Sequence, residues 1–458
     1  MSFHTNVLET IGNTPMVELT KFETGPCRLF VKLENQNPGG SIKDRPALSM
    51  VEAAEKSGSI KPGGTLIEAT AGNTGLGLAL VAKQKGYRLI LVIPDKMSQE
   101  KIFNLQAMGA EVLLTRSDVG NGHPEYYQDM AMRLAAETEN SVFINQFGND
   151  ANPLAHETGT GPEIWAQMGH KIDAMVCGVG SGGTITGLGR FFAKVNPNLE
   201  MVLADPVGSV LADYINKGEM GPLGSWLVEG IGEDFIPDVS DLSLVSSAYT
   251  VSDKEAFLTA RELLEYEGIL AGSSSGTLLA GALAYCRDQT EPKNVVTLVC
   301  DSGNKYLSKM YNDYWMLDQG FIKRKHHGDL RDLIARPHTD RAAVTVKPND
   351  TLATALSRMK LYDVSQLPVL DEQRAVGIID ESDILWAIHH ERENFQDPVS
   401  SAMSAELETV ERTASIESLV PIFRRDLTVI VVDGDTFLGL ITRIDMLNHL
   451  RRGLSETS

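Results

Sequence analysis

A lysine with small, flexible neighbours stands near the start of the chain, in NPGGSIKDRP (residues 37–46). Lys43 falls on the first turn of a predicted helix, DRPALSMVEAAEKSG, where the positive end of the helix dipole disfavours a cation. Two readings follow: a solvated surface amine, or an amine held where it can lose its proton and attack a carbonyl. These ten residues alone do not choose between them. Further along, GVGSGG (178–183) follows an apolar run with the spacing G-x-G-x-x-G, and Asp205 closes a later run. That spacing invites a dinucleotide reading. Several strand-like runs precede it, however, whereas the dinucleotide fingerprint usually lies near the start of its domain. Ser181 and Thr184 also add two hydroxyls to a row of backbone amides. Such a nest suits a terminal phosphate monoester better than a bridging pyrophosphate.

Two more patterns are decoys. GSSSG (272–276) has nucleophile-elbow spacing around Ser274, but an elbow needs a strand before it, and SDKEAFLTARELLEYEG has a helical pattern. HETGT lacks the second histidine of a zinc-protease helix, which leaves His156 a structural or supporting residue. No G-x-x-x-x-G-K occurs. A coherent set remains: one nucleophilic lysine, one phosphate nest, and the polar turns TAGNTG (70–75) and GSSSG. A cofactor with one phosphate and one aldehyde uses all of them. Pyridoxal 5′-phosphate is that cofactor, with Lys43 as its Schiff-base lysine and Gly180, Ser181, Gly182, Gly183 and Thr184 on its phosphate.

The elements that must position these residues alternate. TLIEAT, RLILVIP, AEVLLT, SVFINQF, AMVCGVG, EMVLADP and VVTLVCDSG read as buried strands, with helical stretches such as GLGLALVAKQKG and NPLAHETGTGPEIWAQMG between them. The pattern predicts an α/β fold with parallel sheet covered by helices, its ligand at the carboxyl ends of the strands. A basic, unpatterned segment, FIKRKHHGDLRD, then breaks the composition, and its His326 and His327 read as solvated rather than metal-binding. Two similar stretches follow, 342–388 and 407–450, each reading strand, helix, strand, turn, strand, helix and each ending on G-h-h-x-x-x-D (Gly377–Asp383, Gly439–Asp445). One copy buries little, so two should pack as one unit.

With 458 residues, 42% hydrophobic and 22% charged, the chain is long enough for two to four domains. A formal charge of −20 argues against nucleic acid or an anionic membrane as partner. Four scattered cysteines form no C-x-x-C pair, which predicts neither zinc ribbon nor disulfide framework and suits a reducing cytoplasm. No secretory leader or membrane-spanning run is expected, and no metal site.

IGNTPMVEL, NPGGSIKDR, EATAGNTGLGLA, NQFGNDANPLAH, GVGSGGTITG, EGIGEDFIP and GILAGSSSGT, in that order, resemble the β-replacement family of pyridoxal-phosphate enzymes. DPVGSVLA and the Asp234 of EGIGEDFIP favour its cystathionine β-synthases over its O-acetylserine sulfhydrylases. The resemblance implies the fold of tryptophan-synthase-β-like enzymes, two open α/β subdomains with the cofactor in the cleft, over residues 1–320. It also implies a linker (321–334) and a C-terminal tandem of CBS domains, 335–396 and 397–458. The activity implied joins L-serine and L-homocysteine to cystathionine and water through an aminoacrylate, a step of transsulfuration. Cysteine synthase and activated-serine β-synthase are the rival activities, and a nucleotide-sensing regulatory protein a remote third.

By the same resemblance Asn73 meets the cofactor's ring hydroxyl, while Thr70, Asn73, Thr74 and Gln146 surround the substrate carboxylate. Ser274 faces the pyridine nitrogen, with Ser273 or Ser275 as alternatives. In the second repeat Thr442 and Asp445 match the [ST]-x-x-D pattern of an adenosine-type regulatory ligand; the first repeat has Asp380 in place of the hydroxyl. A homodimer or higher homo-oligomer is implied, and no haem is expected. Glu233 stands where several relatives have tyrosine and Ala71 where many have serine, which bears on substrate selectivity.

Overall fold

The computed structural model describes residues 3–95, 97, 99–120, 122–323, 326–390 and 394–455. Two compact units result, Met1–Tyr311 and Asn312–Ser458. Arg324 and Lys325, in the segment expected to be a linker, lie outside the described residues.

In the first unit the apolar runs become ten strands in two sheets. The larger runs β1 (Met16–Leu19), β2 (Arg28–Lys32), β10 (Asn294–Leu298), β7 (Ala174–Cys177), β8 (Glu200–Pro206), β9 (Ser247–Val251). Only β1 is antiparallel to its neighbour; the other pairings are parallel. The smaller sheet runs β5 (Glu111–Thr115), β4 (Arg88–Pro94), β3 (Thr65–Glu68), β6 (Ser141–Phe143), all parallel. Every residue of β3 and of β7 is buried. This is why these strands read as continuous rather than alternating apolar runs: helices cover both faces. Leu66, Leu78, Val81 and Leu91 share one core, and Leu29, Val176, Val202 and Leu279 another.

The helix predicted after Lys43 spans Asp44–Ser57 and ends on Gly58 in the left-handed region, φ +74°. Lys43 itself is the residue before the first helical one. The stretch NPLAHETGTGPEIWAQMG forms helix Ala151–Ala155 and helix Gly161–Gln167, joined by a π turn at His156–Thr160.

The second unit contains the repeats. In the first, helix Leu352–Tyr362, the antiparallel pair β11 (Gln366–Asp371) and β12 (Arg374–Asp380), and helix Glu381–His390 follow the expected order, with its opening strand reduced to one bridge at Val346. In the second, β13 (Thr409–Glu411), β14 (Val429–Asp433) and β15 (Thr436–Ile441) form a three-stranded sheet ahead of helix Arg443–Ser455. Leu370 of one repeat packs with Ile430 and Phe437 of the other, so the pair shares a core. Leu330, Leu333 and Ile334, in the segment read as linker, are buried against Leu419 and Val429.

Candidate active site

The carboxyl ends of β3, β6, β7 and β10 converge on a cavity of about 290 Å³ between the two sheets. Open α/β sheets place ligands at such ends. Lys43, Thr70, Asn73, Thr74, Gln146, Gly180, Ser181, Gly182, Thr184 and Ser274 all line it. These residues singled out from sequence, up to 231 positions apart (from 43 to 274), therefore share one space, whereas Gly183 of the same loop is not in its lining.

Lys43 is half-buried at this cavity, and among the described residues none hydrogen-bonds to its amine. Burial pulls the amine below its ordinary value, while Cys300, Glu233 and Asp301 pull it back. Desolvation disfavours the ammonium, so proton loss is made easier. The glycines ahead of it are required by the local packing. Gly40 sits at φ +77°, and a Cβ on Gly39 would lie 2.4 Å from the Asp44 carboxylate, which accepts the Gly39 N–H at 2.5 Å. Arg45, two residues on, bonds Glu34 at 2.6 Å and Glu163 at 2.7 Å, and Lys32 joins Glu163 at 2.8 Å. This buried ionic lattice anchors the Lys43 segment to β2 and to helix Gly161–Gln167.

The glycine loop leaves β7 and opens helix Gly183–Val195, whose first amides have no intrahelical acceptor. Gly182 adopts φ +83°, and a Cβ there would lie 1.8 Å from the Ser240 hydroxyl; one on Gly183 would lie 1.9 Å from Asn152 Oδ1. Both oxygens are buried without a hydrogen-bond partner among the described residues. Asn152 Nδ2 donates to Ser181 Oγ at 2.9 Å, and His156 Nε2 lies 3.3 Å from Thr184 Oγ1. Burial first, then the Lys43 and Arg45 charges, holds His156 well below its ordinary value, so its ring is neutral. A close-packed turn with free amides and hydroxyls fits a phosphate monoester. Asp205, in contrast, accepts the Ala212 N–H at 3.0 Å and is fully buried, which removes it from any ribose role.

Of the three serines in GSSSG only Ser274 lines the cavity. Ser273 Oγ accepts the Glu229 N–H at 3.0 Å, and Ser275 Oγ accepts the Cys300 N–H at 2.9 Å. The segment before them is helix Asp253–Glu267, so no strand feeds an elbow. Thr74 Oγ1 donates to Gln146 Oε1 at 2.7 Å, which leaves the Gln146 amide hydrogens free. Thr70 Oγ1 accepts the Gly72 N–H at 3.2 Å and keeps its own hydrogen to donate.

Sequence reasoning missed several residues here. Asn152 lay inside a quoted motif but drew no role, and nothing local marks Ser240. Glu233, already singled out for selectivity, lines the cavity, its carboxyl pushed up to about 8 chiefly by burial and Asp234 against the pull of Lys43. Asp301 and Lys305 reach Asn73 from beyond β10.

In the second unit a cavity of about 560 Å³ is lined by Thr442 and Asp445, with Arg336, Asp363, Gln366 and Arg443 around it. Asp445 Oδ2 accepts both the Thr442 N–H at 2.7 Å and its hydroxyl at 2.5 Å. In the first repeat Asp380 N–H donates to Asp383 at 3.0 Å and Asp383 N–H to Asp380 at 2.8 Å, two carboxylates where the second repeat has one.

Lys43 lines the cavity, and the fold and cavity are those of a pyridoxal-phosphate-dependent enzyme. The family described as "Pyridoxal-phosphate dependent enzyme" matches residues 7–301, and the CBS domain matches 331–390 and 399–452. Cystathionine beta-synthase of Dictyostelium discoideum is 38% identical over 98% of this chain and 92% of its own length. Cysteine synthase 1 of Neurospora crassa is 42% identical over 68% of this chain and 84% of its own. A crystal structure of a hydrogen sulfide-producing enzyme of Fusobacterium nucleatum, 37% identical, covers 67% of this chain and 100% of that one with a TM-score of 0.61. The chain belongs to the cystathionine β-synthase family.

Proposed function

We propose that this enzyme joins L-serine and L-homocysteine to L-cystathionine and water. One observation carries the reading: the match to a cystathionine β-synthase runs over nearly the whole chain, CBS pair included, whereas the cysteine synthase match spans about two thirds of it.

When bound, the cofactor supplies an aldehyde that condenses with amines and a ring that draws electrons from the bonds at Cα. The chain does the rest. Gly180–Thr184 hold the phosphate through backbone amides and the Ser181 and Thr184 hydroxyls. Gln146 and Thr70 offer their free hydrogens to the substrate carboxylate, with Thr74 and Asn73 beside them. Asn73 also meets the ring hydroxyl. Ser274 offers the ring nitrogen a neutral hydroxyl instead of a carboxylate, which favours departure of a β-substituent. Lys43 takes the α-proton of serine and delivers a proton to its departing hydroxyl, a poor leaving group unless protonated. The homocysteine thiol then adds at the β-carbon.

The second unit serves as a regulatory site for an adenosine-type ligand. Asp445 takes the ribose hydroxyls and Thr442 faces phosphate or its equivalent. Asp380 and Glu381 of the first repeat repel phosphate, so a phosphorylated nucleotide prefers the second half-site. The enzyme works as a homo-oligomer in the cytoplasm, a location supported by four unpaired cysteines. Among the described residues, no helix is long and apolar enough to cross a membrane.

Initial rates with serine or O-acetylserine as donor, against homocysteine or sulfide as acceptor, test the activity. Serine with homocysteine should give the highest kcat/KM. Negligible cystathionine from that pair, beside fast cysteine formation from O-acetylserine and sulfide, would overturn the reading in favour of a cysteine synthase.

A further inference from the structure

Asn73 opens helix Asn73–Lys85 at the cavity, and its amide is gripped from two sides. Its Nδ2 donates to Asp301 Oδ2 at 2.9 Å, and its Oδ1 accepts from Lys305 Nζ at 2.5 Å. Both partners come from one short stretch beyond β10, where the 3-10 turn Gly303–Tyr306 follows Asp301. A side-chain amide has one acceptor and two N–H donors, and in a neutral setting its two flipped states differ little. Here they differ greatly. A carboxylate only accepts and an ammonium only donates, so flipping Asn73 would set oxygen against oxygen and N–H against N–H.

The two clamps are themselves held. Asp301 is fully buried and takes a second bond at 2.9 Å from the Tyr306 hydroxyl. Its other oxygen lies where a Cβ on Gly272 would come within 1.9 Å, so the glycine is what leaves room for the carboxylate there. Lys305 is half-buried and lies in the field of both Asp301 and Asp44. The clamp uses the amide oxygen and one amide hydrogen. One N–H of Asn73 is left over.

We infer that Lys305 and Asp301 are positioning residues: they lock the Asn73 amide so that its one unshared N–H is presented to the ring oxygen of pyridoxal phosphate. The inference rests on the assignment of Asn73 to that oxygen. Lys305 lies outside the lining of the cavity and acts through Asn73, so its effect must vanish when Asn73 is gone.

The test uses full-length apoenzyme of wild type, Lys305→Met, Lys305→Arg, Asn73→Ala and the double variant Asn73→Ala/Lys305→Met. Each is titrated with pyridoxal phosphate by calorimetry, and the reconstituted protein's visible spectrum is recorded at one pH. Loss of a charge-assisted bond that orients a donor should weaken cofactor binding about tenfold in Lys305→Met. It should also move intensity from the form with an ionised ring oxygen to the form with that oxygen protonated, in the same direction as Asn73→Ala. Lys305→Arg should restore both, and the double variant should bind no worse than Asn73→Ala. Wild-type binding and spectrum in Lys305→Met beside an impaired Asn73→Ala would overturn the inference, as would additive losses in the double variant. An Asn73→Ala variant unchanged in both readouts would instead overturn the assignment of Asn73 itself.

Discussion

At the scale of single residues, the work on the cofactor divides in the proposed reading between Lys43, for bond-making, and Thr184, for holding. The Lys43 amine has no hydrogen-bond partner among the described residues and is made less basic by burial, the state a nucleophile and proton carrier needs. On the same reading the loop takes phosphate through amides that do not depend on that amine. Lys43→Ala should therefore lose the absorption band that depends on the bond to lysine, and all turnover, yet still bind pyridoxal phosphate. Thr184→Ala should do the opposite. It keeps the chromophore but loses a hydrogen bond to a charged group, about 1.5–3 kcal/mol, so affinity falls by roughly one to two decades. Calorimetry on the two apoenzymes separates these outcomes. Full β-replacement activity in Lys43→Ala would show that another base does the chemistry.

At the scale of elements, β3 ends on a carboxyl group that had no role in the sequence reading. Glu68 is 1% exposed, and its oxygens accept the Ala69 N–H at 2.9 Å and the Gln146 N–H at 3.2 Å. It thereby ties the end of β3 to the loop after β6, which carries Gln146. Burial raises its pKa from an ordinary 4.5 to about 7, against the pull of those amides. The folded state thus binds the proton more tightly than the unfolded chain. The associated stability is complete below about pH 4.5 and disappears as pH rises to about 7, at ~1.4 kcal/mol per unit and on the order of 3 kcal/mol in all. Glu68→Gln lacks that titration. Its melting temperature should trail wild type most at pH 5, and the gap should narrow or reverse by pH 8. Parallel melting curves for the two proteins across that range would show that Glu68 is not the titrating group. The Arg45 lattice works at the same scale with larger stakes, since removing one partner of a buried pair costs about 3–5 kcal/mol, whereas the exposed Arg28–Glu18 pair at 2.7 Å is screened by solvent.

At the scale of the whole molecule, the chain joins a catalytic unit to a pair of repeats that carries a cavity at Thr442 and Asp445. Asp445 already holds its neighbour's N–H and hydroxyl on one oxygen, so the other is available to a ligand. An adenine nucleotide or S-adenosylmethionine at a hundredfold excess over its Kd should stabilise the full-length enzyme by about 2.7 kcal/mol, seen as a higher melting temperature. Asp445→Ala should abolish that shift with catalysis by the unliganded enzyme unchanged. If no such ligand shifts melting or rate, and removal of 335–458 leaves the rate unaltered, the pair is an assembly device and not a sensor.

Much of this was legible in the amino-acid sequence because the requirements are local. A glycine at φ +83° and continuous apolar strands each leave their mark within ten residues, so the loop and the α/β alternation could be read directly, whereas Lys43 took its reading only from the set of motifs around it. The repeats too were visible, since each copy repeats one short pattern. Tertiary structure alone decided how the distant pieces meet. Of the three serines it left Ser274 at the cavity, because backbone amides of Glu229 and Cys300 claim the other two. It also placed core side chains in a segment that reads as linker, because Leu330, Leu333 and Ile334 cover an apolar surface made by residues some 90 positions later. The pairing of Asn73 with Asp301, 228 residues apart, carries no local signal at all. It exists because the carboxyl edges of two separate sheets face one cavity, and short-range backbone preference is blind to which distant edge it will meet.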